Sequence, residues 1–318
     1  MSISVMLPTF NRLESLKIAI NSVISQSLAV DEIVVADAGS SDGTIDYLKK
    51  LKNNNTLKIK LVGKSKRLEN WLDGINNCTN DYVLILCDDD IIHPFLVENF
   101  NRVQKINPNA SMFCFRQQIV YLNYELPKTS ITKKWDEGYF VGKKAEHQLV
   151  ENGFPGFPSI IINKNKLHFD HAALSVFEEA DYLCDLFLAP QSLLNGGIVF
   201  DNYIASTFYY HPNSQSIVQG LSLFYPIWDK KITRLQFEGL ILLEKHFTRR
   251  FQKRLLATLV STSYREGRNG VDLMCTQLEN YIDLIRIKKL PRLIILVARN
   301  SFFRQILKLS YLVKKFLT

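Results

Sequence analysis

The sequence predicts an α/β chain, with a central, mostly parallel sheet flanked by helices and then a helical C-terminal extension. Two observations lead there. Through roughly the first hundred residues, short apolar and partly β-branched runs alternate with stretches of helical spacing, the signature of successive βαβ units. From about Leu221 the patterning becomes almost entirely helix-like, with little Gly or Pro. The expected division is a first domain over residues 1–218 and a helical region over residues 219–318.

The first strand is predicted over Ser2 to Leu7. Leu13 to Ile24 follows as a helix, with Leu13, Leu16, Ile20, Val23 and Ile24 on one face. Glu32 to Ala36 is the second strand. It runs into Asp37-Ala38-Gly39-Ser40-Ser41-Asp42-Gly43, a turn-rich segment with several possible helix N-caps. A helix from about Thr44 to Leu51, a strand from Leu57 to Val62, a helix from Leu68 to Ile75 and a strand from Tyr82 to Leu86 continue the alternation. After Asn107 the pattern loosens. Strands are expected at Met112 to Leu122, Ile160 to Ile162 and Ile198 to Tyr210, and a helix at Val176 to Leu194.

Composition bounds the class. With 318 residues, 47% hydrophobic and 22% charged, the chain can build one large domain or two modest ones. Its five cysteines are odd in number, show no CxxC spacing and mostly sit in apolar settings. They read as reduced core residues of a cytosolic protein, not as a disulfide framework or a zinc site. The N-terminus lacks the basic flank and apolar core of a signal peptide, and no apolar run approaches the roughly 18 residues that a spanning helix needs. The net charge is +8, yet Arg286 to Thr318 alone holds nine Lys and Arg with no Asp or Glu. The basicity therefore belongs to the tail, which weakens a nucleic-acid reading and points to a local surface.

The run Cys87-Asp88-Asp89-Asp90 closes the predicted strand Tyr82 to Leu86. Adjacent carboxylates repel unless they are solvated or neutralised by a cation. Hard divalent ions take oxygen ligands, and ligands of open α/β sheets bind at the carboxyl ends of strands. A solvated acidic turn ahead of the helix near Pro94 is the plainer alternative.

Three motifs stand in order: Pro8-Thr9-Phe10-Asn11-Arg12 after the first strand, Asp37 to Thr44 after the second, and Asp88-Asp89-Asp90 after the fourth. Together they closely resemble the family 2 inverting glycosyltransferases of the GT-A fold, over roughly residues 2 to 215. The resemblance implies a nucleotide-sugar donor, a divalent metal (Mn²⁺ or Mg²⁺) and transfer to a hydroxyl acceptor. It implies Asp37 on the base and the acidic cluster on ribose and metal. Pro8 and Thr9 can line the base and ribose, Asn11 belongs to the same donor loop, and Arg12 and Arg67 can approach the diphosphate. Asn70 serves the donor site or acts as an internal cap. In the acidic run, the first aspartate of the commoner D-x-D pattern falls on Cys87. Asp88 is then expected on ribose and Asp89 or Asp90 on the metal.

The same resemblance places the catalytic base in Phe177 to Leu186, with Asp181 first, Glu179 second and Glu178 third. Acidic residues at a helix start are also favoured by the helix dipole alone. His211, in the segment Tyr209 to Ser216, is expected at the metal or diphosphate, with a structural histidine as the plainer reading. Phe154 to Pro158 is either an acceptor wall or a rigid turn.

In the tail, Leu290, Leu293, Ile294, Val297, Phe302, Ile306, Leu309, Val313 and Phe316 recur at three- to five-residue spacing among the cations. Such a stripe suits an anionic membrane surface or packing on the catalytic domain. Many family relatives act on polyprenyl-diphosphate-linked acceptors, which implies a peripheral position at the cytoplasmic face of the membrane, in surface-polysaccharide synthesis of O-antigen or capsule type. Two other readings compete. A sugar-phosphate nucleotidyltransferase usually has a Gly-rich first loop, where this chain has Pro8 to Arg12. A non-catalytic membrane-associated scaffold need not keep Asp37, Asp88 to Asp90 and Asp181.

Overall fold

A computed structural model of the chain describes residues 2–54, 58–63, 67–122, 126–152, 156–167 and 196–211. All of these fall in the first of two units into which the chain divides, Met1–Val218. The predicted helices at 176–194 and beyond 221 lie outside the described residues.

The strands and helices up to residue 86 follow the expected order: β1 (Ile3–Thr9), α1 (Leu13–Ile24), β2 (Glu32–Asp37), α2 (Thr44–Asn54), β3 (Lys58–Val62), α3 (Arg67–Asn77) and β4 (Tyr82–Ile85); a short strand not expected, β5 (Ile91–Ile92), then precedes α4 (Leu96–Ile106). After them come β6 (Ala110–Tyr121), β7 (Lys128–Ile131), β8 (Gly138–Val141), α5 (Gly142–Asn152), β9 (Ile160–Asn163) and β10 (Gly197–Tyr210). One sheet holds all ten strands, in the order β3-β2-β1-β4-β9-β6-β10-β5, with β7 on β6 and β8 on β10. The β3-β2-β1-β4 block is parallel throughout, as is the long β6–β10 pair. The antiparallel β9 joins the two blocks by pairing with both β4 and β6.

The parallel strands are buried on both faces, so they read as continuous apolar runs. Every residue of β2 and β4 is buried, as are Ile3 to Leu7 of β1. Helix α1 turns Leu16, Ala19, Ile20 and Val23 onto this sheet, whereas Ile24 stays 41% exposed. Each fully buried Leu, Ile or Val contributes about 1.5–3 kcal/mol. Below the sheet centre, Tyr82, Phe100 and Phe113 pack edge-to-face with centroids 5.1–5.9 Å apart. Gly74 lets α3 lie close on the sheet. A Cβ there would stand 2.8 Å from Met6 Cγ and 3.1 Å from Ala36 Cβ.

Elements without a strong periodic signal emerge only in three dimensions. The strand β5 is just two residues and exists because Ile91 and Ile92 pair with Thr207 and Ser206 of β10. The strands β7 and β8 lie off the main path, and all four residues of β7 are exposed.

A buried carboxylate fastens the end of the sheet opposite the acidic run. Glu32, 2% exposed, accepts hydrogen bonds from Ser4 Oγ (2.6 Å), Thr79 Oγ1 (2.9 Å) and the Thr79 backbone N–H. Burial raises its pKa, but these donors outweigh burial and leave it below the ordinary value. Its stabilisation is therefore complete above the unfolded-state value of about 4.3 and is lost as pH falls through the lower folded value. Glu32→Ala is expected to cost about 1–3 kcal/mol at pH 7 by leaving the buried Ser4 hydroxyl without its acceptor. Urea denaturation should show that deficit shrinking once the pH is low enough to protonate Glu32 in the folded wild type; a deficit independent of pH would contradict this.

Candidate nucleotide and metal site

The carboxyl ends of β2, β1 and β4 lie side by side, and each delivers one of the sequence motifs. Thr9, the last residue of β1, sits opposite Asp37, the last residue of β2. On its other flank β1 pairs with β4, which ends just before the acidic run.

The Asp37 turn is built by its own side chain. Asp37 Oδ1 accepts from the N–H groups of Gly39 (2.9 Å) and Ser40 (2.8 Å). Gly39 and Gly43 take positive φ, which this tight path requires. Asp37 Oδ2 is buried and has no hydrogen-bond partner among the described residues, an open acceptor at the strand end. Gly63 packs so closely here that a Cβ would lie 1.8 Å from the Asp37 carbonyl oxygen.

The donor loop is latched to this turn. Asn11, at φ +52°, donates its N–H to Ser40 Oγ (2.8 Å) and accepts the Ser41 N–H on Oδ1 (2.7 Å). Asp42 closes the latch: Oδ2 accepts from Leu13 N–H at the start of α1, and Oδ1 accepts from Thr44 Oγ1 (2.6 Å) at the start of α2. Asn70, 3% exposed, donates from Nδ2 to the Ala36 carbonyl (2.8 Å) and so braces the strand one residue before Asp37. Pro8 lies within β1, half-buried, and Arg67 opens α3.

The three aspartates face different partners. Asp88 turns back to β1, accepting from Thr9 Oγ1 (2.7 Å) and lying 3.5 Å from Arg12 Nη1. Asp89 pairs with Arg12 Nη1 and lies 3.3 Å from His211 Nε2. Asp90, 1% exposed, accepts from the Tyr209 N–H (3.0 Å) on Oδ1, while its buried Oδ2 has no partner among the described residues. Strand β10 thus holds the acidic loop from behind. His93 strengthens this hold, its ring nitrogens reaching the Ile204 carbonyl (2.8 Å) and Thr207 Oγ1 (2.9 Å).

Electrostatics separate the three. Burial pushes Asp88 up to about 7, the charge of Asp89 adds to this, and Arg12 and the Thr9 hydroxyl oppose it. Burial and then the neighbouring charge of Asp89 hold Asp90 well above its ordinary value, with the Tyr209 N–H opposing. Burial acts on Asp89 too, but hydrogen bonds from His211 and Arg12 and the charge of Arg12 outweigh it and keep Asp89 low. The cluster therefore carries more carboxylate than its surroundings neutralise.

Cys87, Asp89 and Asp90 bring one ligand atom each within 4.8 Å of one another. The buried, unpartnered Asp90 Oδ2 is an oxygen that a cation would satisfy, and two carboxylates suit Mg²⁺ or Mn²⁺. The donor set fits a divalent ion, with Cys87 standing where a further oxygen ligand would be. Cys87 is the group that sequence reasoning left off the metal set; its position one residue before the aspartates was the available signal. Asp181, Glu179 and Glu178 lie outside the described residues. Of the segment Phe154 to Pro158, Phe157 is buried and meets the Trp71 ring edge-on at 5.5 Å, while Gln117 Nε2 donates to its carbonyl at 3.3 Å.

Comparison with known proteins identifies the fold and the family. The crystal structure of Staphylococcus aureus TarS residues 1–349 superposes with a TM-score of 0.62 at 15% identity, covering 98% of this chain and 91% of that one. A mannosyltransferase from Pyrobaculum calidifontis, solved with GDP-Man and Mn²⁺, gives a TM-score of 0.51 at 12% identity, over 98% of this chain and 84% of that one. The shared architecture is the GT-A fold. In sequence, a poly-beta-1,6-N-acetyl-D-glucosamine synthase of Staphylococcus aureus strain COL is 28% identical over 109 residues, 33% of this chain and 26% of that protein, so the match spans about a quarter of the relative's length. The family model for glycosyl transferase family 2 matches residues 4–166, just over half of the chain. A parallel sheet whose adjacent strand ends carry an aspartate turn and an acidic cluster, matched by that model, makes this chain a member of glycosyl transferase family 2.

Proposed function

We propose that the chain is a metal-dependent inverting glycosyltransferase that moves a sugar from a UDP- or dTDP-sugar to a hydroxyl of a glycan acceptor. One observation carries the reading: two buried carboxylate oxygens without partners among the described residues, Asp37 Oδ2 and Asp90 Oδ2, on strand ends that flank β1 on either side. The first offers an acceptor to a pyrimidine N–H. The second, with Asp89 and Cys87, offers ligands to Mn²⁺ or Mg²⁺. Thr9 and Pro8 line the strand end between them, and Arg12 and Arg67 are the candidate cations for the diphosphate. Asn70 holds the Asp37 strand in place, and Asp88 fixes Thr9 and Arg12 beside the ribose position. His211, against Asp89, completes the metal or diphosphate side. A bound divalent cation supplies counter-charge for the leaving diphosphate.

The solved TarS neighbours include complexes with UDP and with UDP-GlcNAc, which supports a uridine donor here. We assign the catalytic base to Asp181, with Glu179 as the alternative, because an inverting transfer needs one carboxylate to take the acceptor proton during in-line attack. The polysaccharide synthases among the relatives support an acceptor in polysaccharide synthesis; we assign it to surface glycans of capsule or O-antigen type, with a polyprenyl-diphosphate-linked acceptor, on the family resemblance alone. We divide the chain into a catalytic domain over residues 1–218 and a helical region over residues 219–318 whose basic tail rests on the inner face of the membrane. No helix among the described residues is long and apolar enough to cross one.

Nucleotide binding tests the base pocket. Asp37→Asn keeps an oxygen for the turn but sets an amide donor against the base N–H. Calorimetry with Mn²⁺ should show UDP and dTDP affinity falling by about tenfold or more; unchanged affinity would remove Asp37 from the base.

Transfer tests the base residue. Asp181→Asn should keep UDP binding while kcat falls by about 10²-fold or more. If Glu179→Gln behaves this way and Asp181→Asn does not, Glu179 takes the role.

Location rests on the tail. Its nine cations each contribute about 1 kcal/mol near an anionic bilayer, attenuated by salt. Truncation before Arg286 should abolish co-sedimentation with phosphatidylglycerol vesicles at low salt and preserve thermal stabilisation by UDP. A truncated chain that aggregates or no longer binds UDP would make the stripe a packing surface and defeat the membrane assignment.

A further inference from the structure

We propose that Arg12 is the internal counter-ion of the acidic cluster, exchanged for a divalent cation only when a nucleoside diphosphate arrives with that cation. This exchange rests on the donor-site reading and goes beyond it by coupling the two ligands.

The contest centres on one carboxylate, that of Asp89. Asp89 Oδ2 already accepts from Arg12 Nη1 and lies 3.3 Å from His211 Nε2. The same Arg12 nitrogen stands 3.5 Å from Asp88 Oδ1. Asp89 is also one of the three groups, with Cys87 and Asp90, whose ligand atoms lie within 4.8 Å of one another. A divalent cation entering that group meets a carboxylate that a guanidinium has already claimed. To take it, the ion must loosen Arg12, whose side chain is only 17% exposed. A guanidinium separated from its carboxylates in so enclosed a place is costly.

A diphosphate removes that cost. It is an anion of the geometry that a guanidinium fork binds well. Only the side chain has to move, because the backbone of Arg12 is held: its carbonyl accepts from the Leu16 N–H (2.9 Å) as the first bond of α1. The preceding residue, Asn11, is tied through Ser40 and Ser41 to the turn that displays Asp37. Arg12 therefore springs from the nucleotide side of the site and rests its head on the metal side. It is placed to leave one for the other. Two ligands that each relieve the other's cost bind with positive coupling, and the coupling is reciprocal.

Electron paramagnetic resonance of Mn²⁺ with the full chain tests this without any turnover. In the wild type, UDP should tighten Mn²⁺ binding by about tenfold or more. Arg12→Gln, which removes the competing charge, should bind Mn²⁺ alone more tightly than the wild type by a similar factor and gain much less from UDP. Arg12→Lys keeps the charge without the fork, so Mn²⁺ alone should bind about as in the wild type while the gain from UDP falls. Equal affinity of wild type and Arg12→Gln for Mn²⁺ alone overturns the exchange, as does a wild type that binds Mn²⁺ equally with and without UDP. If Arg12→Gln does not melt cooperatively, the wild-type coupling and Arg12→Lys decide. A wild type that binds neither UDP nor dTDP in the presence of Mn²⁺ is a different failure: it removes the donor reading itself.

Discussion

The negative charge packed at the end of β4 is what the surrounding structure answers to. Asp88, Asp89 and Asp90 are consecutive and largely enclosed. At an effective dielectric near 20, two unit charges 4 Å apart repel by about 4 kcal/mol. The fold meets this by sending the three side chains to three places: Asp88 to β1 through Thr9, Asp89 to Arg12 and His211, and Asp90 to the backbone of β10. The partners come from two distant parts of the chain, Thr9 and Arg12 at the end of β1 and Tyr209 and His211 at the end of β10, so the acidic run also cross-links the sheet. The balance stays incomplete, since burial still lifts Asp88 and Asp90 above their ordinary values. Ionising these two buried carboxyls calls for counter-charge beyond what Arg12 provides, which a cation would supply.

The sheet order makes the arrangement possible. Crossovers through α1 and α3 place β2 and β4 on either side of β1, so Asp37 and the acidic run become neighbours across one strand although about fifty residues separate them in sequence. Close packing then sharpens the register. Gly63 against the Asp37 carbonyl and Gly74 against Met6 leave no room for a side chain, and Asn70 secures Ala36. A slip of β2 against β1 would break several of these contacts together.

The first hundred residues were legible because each element carries its own local signal. The spans of α1 and β3 were read to within one residue, and the face Leu16, Ile20, Val23 was read as the buried one. Ile24 was placed on that face by spacing alone, yet it ends the helix, beyond the sheet's cover. What escaped sequence reasoning is non-local. Ile91 and Ile92 form a strand only because Ser206 and Thr207 come back to meet them, and β7 is an exposed strand with no apolar alternation. The partners of the aspartates were equally hidden: that Asp88 bonds Thr9, or that Tyr209 caps Asp90, depends on a sheet order no local pattern encodes. The motif residues themselves stood out because polar runs at apolar strand ends are conspicuous. Asn11 is the partial case. Its place in the loop was evident, but its main bonds are to Ser40 and Ser41, so it shapes the site by holding two loops together.

Cys87 gives this cluster its particular charge. A carboxylate at that half-buried position would add a fourth acidic group beside Asp89 and Asp90, with Arg12 already shared between two aspartates. A cysteine there keeps a possible ligand atom within 4.8 Å of the others, and one that ligates a metal as thiolate. The consequence is a division of labour within the run. Asp89 and Asp90 present carboxylate oxygens of the kind hard divalent ions take, and Asp88 is left to hold Thr9 and Arg12 together at the end of β1. A sulfur donor beside two carboxylates would suit Mg²⁺ poorly, since that ion demands oxygen and a rigid octahedral shell.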